Sequence, residues 1–368
     1  MFDSSILKSE ERISFALRSL YSRFGYDRYK MSKFEEYDLY VRNKDFLISD
    51  SIITFTDTNG RLMALKPDVT LSIVKNVTDV KGTVNKFYYD ENVYRISGGT
   101  NSFKEIAQTG LECIGDIGNY EICEVVCLAI KSLELIDSSY ILDLSHAGLV
   151  SSVFETIGIS DVEGDEILTY IKSKNSSQLL NMKEIGILSE GAFDLVMKLM
   201  TTYKNIDDFK NAFAPYSYDK NISASLNEFS AVCDKLTALG FMKNVNIDFS
   251  IIDDMNYYSG VIFKGYIKGI PQAVLSGGQY DKLMKKIGKA SGALGVAVYV
   301  DMFERMNKNE REYDCDCLIL KDSATDSSVI LKAVDCFVSE GKKVKIIDGN
   351  AEGLTYRQIL DLREGQGE

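Results

Sequence analysis

Residues 88–115 read YYDENVYRISGGTNSFKEIAQTGLECIG, and their alternation decides the fold. A strand-like run carries one arginine, Arg95, into a short loop around Gly98 and Gly99. A second run then carries Gln108 and Glu112, which share a parity with Gly110 between them. In an antiparallel hairpin, side chains two and four apart point to one face. That geometry brings Arg95 to the face of the polar pair, above a sheet whose other face is covered. It predicts a small polar cavity for an amino acid, a nucleotide or both. The alternative is a surface hairpin with scattered polar residues.

Working outward, residues 9–24 (SEERISFALRSLYSRF) place Ile13, Leu17, Leu20 and Phe24 on one helical face, with Ser9 as N-cap and Gly25 as the stop. Residues 52–56 and 61–65 read as strands around the turn Asp57-Thr58-Asn59-Gly60, and Pro67 ends the second. Asp68 is placed to cap a helix over 69–77. Beyond the 86–96 and 104–114 strands, residues 120–136 form an apolar-periodic helix. From about 150 to 240 the pattern is mostly helical, with loops expected near 172–177, 203–208 and 214–221. Strand character returns at 245–252, 261–266 and 272–276, followed by Gly277-Gly278 and a helix over 280–286. An apolar, glycine-containing stretch covers 291–300, then a short helix 301–307. Near 312 a second unit begins, with strand 315–320, helix 328–340 closed by Gly341 and strand 343–347, before a tail ending REGQGE that reads as frayed. Hairpins and covering helices alternate without a regular βαβ repeat, which is an α+β signature.

At 368 residues the chain is long enough for one large domain and a smaller one. Its 45% apolar content fits a globular core, and Pro67, Pro215 and Pro271 are its only prolines. A formal charge of −12 argues against a nucleic-acid surface, which must neutralise phosphates. The short basic cluster Lys282, Lys285 and Lys286 reads as a solvated helix face. Seven cysteines, an odd number, without a secretory leader point to reduced thiols and a cytoplasmic location. Cys123 and Cys127 are spaced i,i+4 on a helix, and Cys315 and Cys317 share one face of a strand. With a single histidine, four convergent soft ligands for zinc are not in view, and neither a metal nor a cofactor is expected. No stretch approaches 18 apolar residues, so no membrane span is expected.

The lone histidine, His146, invites an acid–base reading, but no nucleophile or acid partner is indicated, and a local backbone bond at a strand end is the better account. Nucleophile-elbow, dinucleotide and Walker motifs are absent from the sequence. The polar candidates left in strand-end or sheet contexts are Asp68, Gln108, Glu112, Tyr257 and Tyr258. A carboxylate can grip an ammonium, and a Gln–Glu pair can read a ring N–H or a second amine. Against this stand helix capping or a solvated sheet edge for Asp68, Gln108 and Glu112, and core packing for the tyrosines.

Together these stretches resemble a class II aminoacyl-tRNA synthetase core of the histidyl type, and more closely the synthetase-like regulatory subunits of ATP phosphoribosyltransferase. The resemblance covers roughly residues 1–305. FTDTNGRLMALKPDVTLSIVK (55–75) is similar to the family's early hairpin and its Arg-Pro-acid-x-Thr element, with Lys66 in place of the arginine. KFYYDENVYR (86–95) and EIAQTGLECIG (105–115) resemble the strands into and out of class II motif 2. DMNYYSGVIF (254–263) with VLSGGQYDKL (274–283) resembles the second histidyl signature, and SGALGVAVYVDMFER (291–305) the motif 3 strand and helix.

This resemblance implies a mainly antiparallel sheet flanked by helices over residues 1–310, with a mostly helical insert at about 150–240. Residues 311–368 would form a truncated anticodon-binding-like βαβ unit. Asp68, Gln108, Glu112, Tyr257 and Tyr258 fall where the family lines its histidine pocket, and Arg95 falls on the motif 2 arginine. The departures are as informative. Met302, after Asp301, stands where motif 3 has an ATP-clamping arginine. Asp253 stands where an arginine promotes adenylate formation, and the usual Arg-x-Phe-His-Gln run reads Lys104-Glu105-Ile106-Ala107-Gln108. Guanidinium groups stabilise phosphoryl charge; a carboxylate opposes it and a thioether cannot replace it. The resemblance therefore implies a non-catalytic regulatory subunit, with no catalytic residues, that activates the short-form ATP phosphoribosyltransferase in the first step of histidine biosynthesis and contributes to histidine feedback. Its partners would be that catalytic subunit, a second copy of this chain meeting it through the N-terminal helix and the strand after it, and free histidine. The assembly would be a hetero-octamer of four regulatory and four catalytic chains, with no nucleic acid and no membrane. The alternatives are a histidyl-tRNA synthetase or other amino-acid-activating enzyme, and a synthetase-like binding module for another partner.

Overall fold

The computed structural model describes residues 7–42, 52–78, 80–97, 102–253, 255, 257–303, 313–349 and 351–363. The expected loop at Gly98 and Gly99, the second half of the expected 301–307 helix and the tail beyond Arg363 lie outside the described residues. The chain divides into two compact units, Met1–Glu304 and Arg305–Glu368.

The first unit opens with α1 (Ser9–Arg23). Ser9 is not its cap but its first helical residue; Lys8 holds the cap position, its N–H donating to Glu11 Oε2 at 2.8 Å. Gly25, at φ +81°, ends the helix as expected. Three short elements that the sequence pattern did not announce follow: β1 (Asp27–Arg28), β2 (Phe34–Glu36) and α2 (Tyr37–Val41). The expected hairpin is β3 (Thr54–Thr56) and β4 (Leu62–Leu65), with β2 on the free edge of β4. Asp57 Oδ1 closes its turn by accepting from the N–H groups of Asn59 and Arg61, each at 2.8 Å.

Next come α3 (Thr70–Asn76) and the long pair β5 (Val84–Ile96) and β6 (Phe103–Gly115), 13 residues each. After α4 (Asn119–Ile136) and β7 (Tyr140–His146), the helical insert runs through α5 (Ala147–Ile157), α6 (Asp161–Lys172), α7 (Ser176–Glu184), α8 (Glu190–Thr201), β8 (Tyr203–Lys204), α9 (Ile206–Phe213) and α10 (Lys220–Ala238). The starts of its helices are written locally. Ser160, Asn175, Ser189, Asn205 and Asp219 each accept a backbone N–H from the first turn of the helix they precede. The loop expected at 203–208 is instead a two-residue strand and the start of a helix.

The unit closes with β9 (Val245–Asp248), β10 (Val261–Ile267), β11 (Leu275–Gln279), α11 (Asp281–Lys286) and β12 (Gly292–Tyr299). Two strand boundaries differ from expectation. The 245–252 strand stops at Asp248, whose carboxylate caps a 3-10 turn over Phe249–Ile251. The strand expected at 272–276 runs Leu275–Gln279, so Gly277 and Gly278 lie inside it rather than ending it. Met302 lies in a 3-10 turn, Val300–Phe303, and packs against the main core.

Among the described residues nine strands form one sheet, in the order β1-β5-β6-β12-β11-β10-β7-β9-β8. Its pairings are antiparallel except β1 with β5 and β7 with β9, so the architecture is α+β with a mainly antiparallel sheet. Leu111, Cys113, Val296 and Phe263 pack from one face of this sheet in the same core as Leu17 and Tyr21 of α1 and Val125, Val126 and Ala129 of α4. Burying each large apolar side chain contributes about 1.5–3 kcal/mol, so this face is anchored. The opposite face is covered at one end by a second cluster, in which Leu71, Ile73 and Val74 of α3 and Leu283 and Met284 of α11 pack with Tyr89, Val93 and Ile114. The uncovered middle is where the cavity lies.

The second unit contains β13 (Cys315–Lys321), α12 (Ser327–Ser339), β14 (Val344–Asp348) and β15 (Tyr356–Asp361). The parallel order is β14-β13-β15. The expected βαβ element is therefore joined by a third strand, in sequence read as part of a frayed tail. No helix among the described residues is long and apolar enough to cross a membrane.

Candidate functional site

The strand registers lay out the cavity floor row by row. Glu112 sits opposite Gly295, which faces Gly278, which faces Ile262. The next row runs Tyr89, Gly110, Ala297, Ser276 and Lys264. Opposed residues share a face, so these side chains look into one space. Glycine makes that space. A Cβ on Gly295 would lie 2.0 Å from Glu112 Oε2, and one on Gly110 2.4 Å from the Tyr89 hydroxyl. The resulting cavity is about 490 Å³, and all six residues expected from the sequence line it: Asp68, Arg95, Gln108, Glu112, Tyr257 and Tyr258.

Each is held for a local reason. Glu112, 2% exposed, accepts from Thr70 Oγ1 at 2.6 Å and from the Tyr280 hydroxyl. Burial pushes its carboxyl up to about 8, with nearby Asp68 adding to the rise and the two hydroxyl bonds opposing it, which favours the protonated form near neutrality. Asp68 Oδ1 accepts from Leu71 N at 2.8 Å at the start of α3. Burial raises its pKa as well, while that backbone bond and the nearby Arg95 charge act against the shift. Arg95 Nε donates to Pro67 O at 3.0 Å, Tyr94 N donates to Lys66 O at 2.9 Å, and buried Lys66 pairs with Glu91 at 3.0 Å. Three contacts thus fasten the segment carrying Asp68 onto β5. Lys66, standing where the family resemblance has an arginine, belongs to this fastening. Gln108 is buried on β6. Tyr257 stacks edge-on against Tyr258 at 4.7 Å and lies 5.8 Å from the Tyr280 ring; burial raises all three hydroxyl pKa values.

Sequence reasoning missed Thr70, Tyr89, Tyr280 and Lys264 as lining residues. The signals were present: Thr70 lies two residues after Asp68, and Tyr89 and Gly110 are cross-strand partners whenever Glu112 faces the cavity. Asp253 also lines the cavity and pairs with Lys264, its other oxygen 3.5 Å from Lys172 Nζ. Asp253, the position that the resemblance aligns with an adenylation-promoting arginine, is thus a carboxylate paired with two lysines.

His146 behaves as a structural residue. It ends β7, is 1% exposed, and its Nδ1 accepts from Leu149 N at 3.0 Å; burial lowers its pKa to about 4. Among the described residues no group of His, Cys, Asp and Glu side chains gathers to hold a metal. Cys113, Cys123, Cys127, Cys233, Cys315 and Cys317 are buried free thiols and Cys336 an exposed one.

The histidyl-tRNA synthetase family model matches residues 4–303. An ATP phosphoribosyltransferase regulatory subunit of Bacillus cereus (strain ATCC 10987 / NRS 248) is 29% identical over 314 residues, 82% of this chain and 73% of that protein. The protein of that name from Bacillus mycoides (strain KBAB4) is 26% identical over 307 residues, 82% of this chain and 73% of its own length. Among solved structures, an ATP phosphoribosyltransferase regulatory subunit/histidyl-tRNA synthetase from Bacillus halodurans superposes with TM-score 0.77 at 21% identity, covering 96% of this chain and 94% of that one. A chain of the ATP phosphoribosyl transferase (HisG:HisZ) complex from Thermotoga maritima gives 0.61 at 17% identity, covering 78% of this chain and 96% of that one. With the sheet, the glycine-floored cavity and the family model matched over residues 4–303, the chain belongs to the histidyl-tRNA synthetase family.

Proposed function

We propose that this chain is a non-catalytic regulatory subunit that activates a short-form ATP phosphoribosyltransferase, the first step of histidine biosynthesis, and takes part in histidine feedback through its cavity. One observation carries the reading: the six residues that the resemblance assigns to the amino-acid pocket line one cavity, whereas the positions it assigns to phosphoryl charge hold Asp253, paired with two lysines, and Met302, packed against the core. In such a cavity Asp68 would receive the α-ammonium with Gln108 beside it. Glu112 and Tyr257 would face the imidazole, with Tyr258 closing the wall. Arg95 would lie on the carboxylate side. Adenylation would lack its guanidinium partners.

The proposed assembly is a homodimer of this chain within a hetero-octamer, with α1 and the strand after it at the twofold interface. The second unit, with its parallel sheet, is read as a shortened anticodon-domain relative without a tRNA role. Regulation of this kind needs only differential affinity for the active and inactive assemblies. The test is to add the chain to a matching short-form catalytic subunit and record phosphoribosyl-ATP formation. Turnover rises with added chain under this reading. A flat response, with complex formation confirmed by sedimentation, refutes it.

A further inference from the structure

The cavity has two distinct polar ends, with Arg95 beside Asp68 at one and the Lys264–Asp253 pair at the other. Asp68 and Glu112 stand at the end covered by α3, and Lys264 enters from β10. The row Gly110, Ala297, Ser276, Lys264 crosses three strand intervals; at about 4.8 Å each, this spans roughly 14 Å at the backbone. A long lysine side chain shortens that gap toward the length of a small amino acid. Lys264 is only partly exposed (21% for its side chain), and its ammonium pairs with Asp253, 57% exposed. Asp253 in turn takes Lys172 of α6, whose Nζ lies 3.5 Å from Oδ1 and 3.4 Å from the main-chain oxygen. An exposed carboxylate shared between two lysines is a weak restraint, and an ammonium has three donors, of which one serves Asp253.

We propose that Lys264 anchors the α-carboxylate of an amino acid bound in this cavity, and that Asp253 occupies that ammonium only until the ligand's carboxylate displaces it. The inference rests on the reading that the cavity takes an amino acid. It explains how a pocket with a carboxylate at position 253 can still hold an anionic group. Beside the Arg95 guanidinium of β5, β10 adds a compact ammonium rather than a second bidentate fork. When the ligand takes Lys264, Asp253 keeps Lys172, so occupancy is felt at α6 of the helical insert.

Calorimetry with L-histidine and with histamine, which has no carboxylate, tests this on the full chain. Lys264→Gln weakens L-histidine at least about tenfold, the size of a lost charge-assisted bond, and leaves histamine unchanged; Lys264→Arg recovers most of the loss. Asp253→Asn, at an exposed position, tightens L-histidine and leaves histamine alone, so the proposal stays testable even if Lys264→Gln fails to fold. Equal losses for both ligands in Lys264→Gln, or an L-histidine affinity unmoved in both Lys264→Gln and Asp253→Asn, overturns the anchor role while the amino-acid reading stands. Wild-type chain that binds neither ligand overturns that reading itself, and the anchor with it.

Discussion

Replacing Glu112 by glutamine should make the protein more stable near neutral pH without ligand, although Glu112 is buried in the site. Burial pushes its carboxyl from 4.5 up to about 8. Between those values the folded chain holds a proton that the unfolded chain has lost, so stability falls as pH rises through this window. At about 1.36 kcal/mol per unit, the two units from pH 5 to 7 correspond to roughly 2.7 kcal/mol of stability lost by the wild type. Glutamine does not titrate and keeps the shape, so Glu112→Gln lacks this slope. Asp143, raised to about 6, and His146, lowered to about 4, titrate in both proteins and cancel in the difference. The assay is urea unfolding of wild type and variant at pH 5, 6 and 7, without ligand. The gap in favour of the variant should widen steadily over that range. Parallel pH profiles would refute the reasoning, because Glu112 would then be ionised in the folded chain. The same protonation has a binding corollary. A cationic ligand favours the carboxylate, so binding below pH 8 should release close to one proton, read from the buffer dependence of the calorimetric enthalpy.

Histidine-dependent pyrophosphate exchange into ATP should be absent from highly purified protein; measurable exchange would show that Asp253 and Met302 do not abolish adenylation. If the cavity takes histidine, Glu112→Gln and Asp68→Asn should weaken it more than Tyr258→Phe, since bonds to charged groups contribute about 1.5–3 kcal/mol against about 0.5–1.5 for neutral ones. Unchanged affinity in both carboxylate variants would place histidine elsewhere. Glu91→Gln should destabilise the chain by about 3–5 kcal/mol, the cost of leaving a buried cation such as Lys66 without its partner. The urea midpoint should fall while the double change with Lys66→Met recovers part of it.

The hairpin and its polar face were legible because in two paired 13-residue strands side chains two apart share a face, and register then fixes which side chains meet. All six expected residues line one cavity for that reason. The misses have physical causes. Gly277 and Gly278 were placed after a strand ending at 276, yet they sit in β11 where close approach demands them: a Cβ on Gly278 would meet the Tyr258 ring at 2.8 Å. Tyr280 read as a helix start, and only the fold swings its hydroxyl onto Glu112. Lys264 was hidden inside an apolar strand, since its partner Asp253 is 11 residues away and the pairing is tertiary. β15 was missed because its side chains are largely exposed and give no alternation to read.

The glycine floor also offers a way to silence the cavity without touching a charge. A methyl group at Gly295 would sit 2.0 Å from Glu112 Oε2 and 2.8 Å from Leu111 O, so Gly295→Ala acts as a plug the size of one carbon, pushing the carboxylate into the space a ligand needs. Such an allele changes no residue of α1 or of the outer surface. A cell carrying it would tell apart the two proposed roles: a chain that still raises its partner's turnover but has become deaf to the pathway's end product would show that docking and sensing are heritable separately.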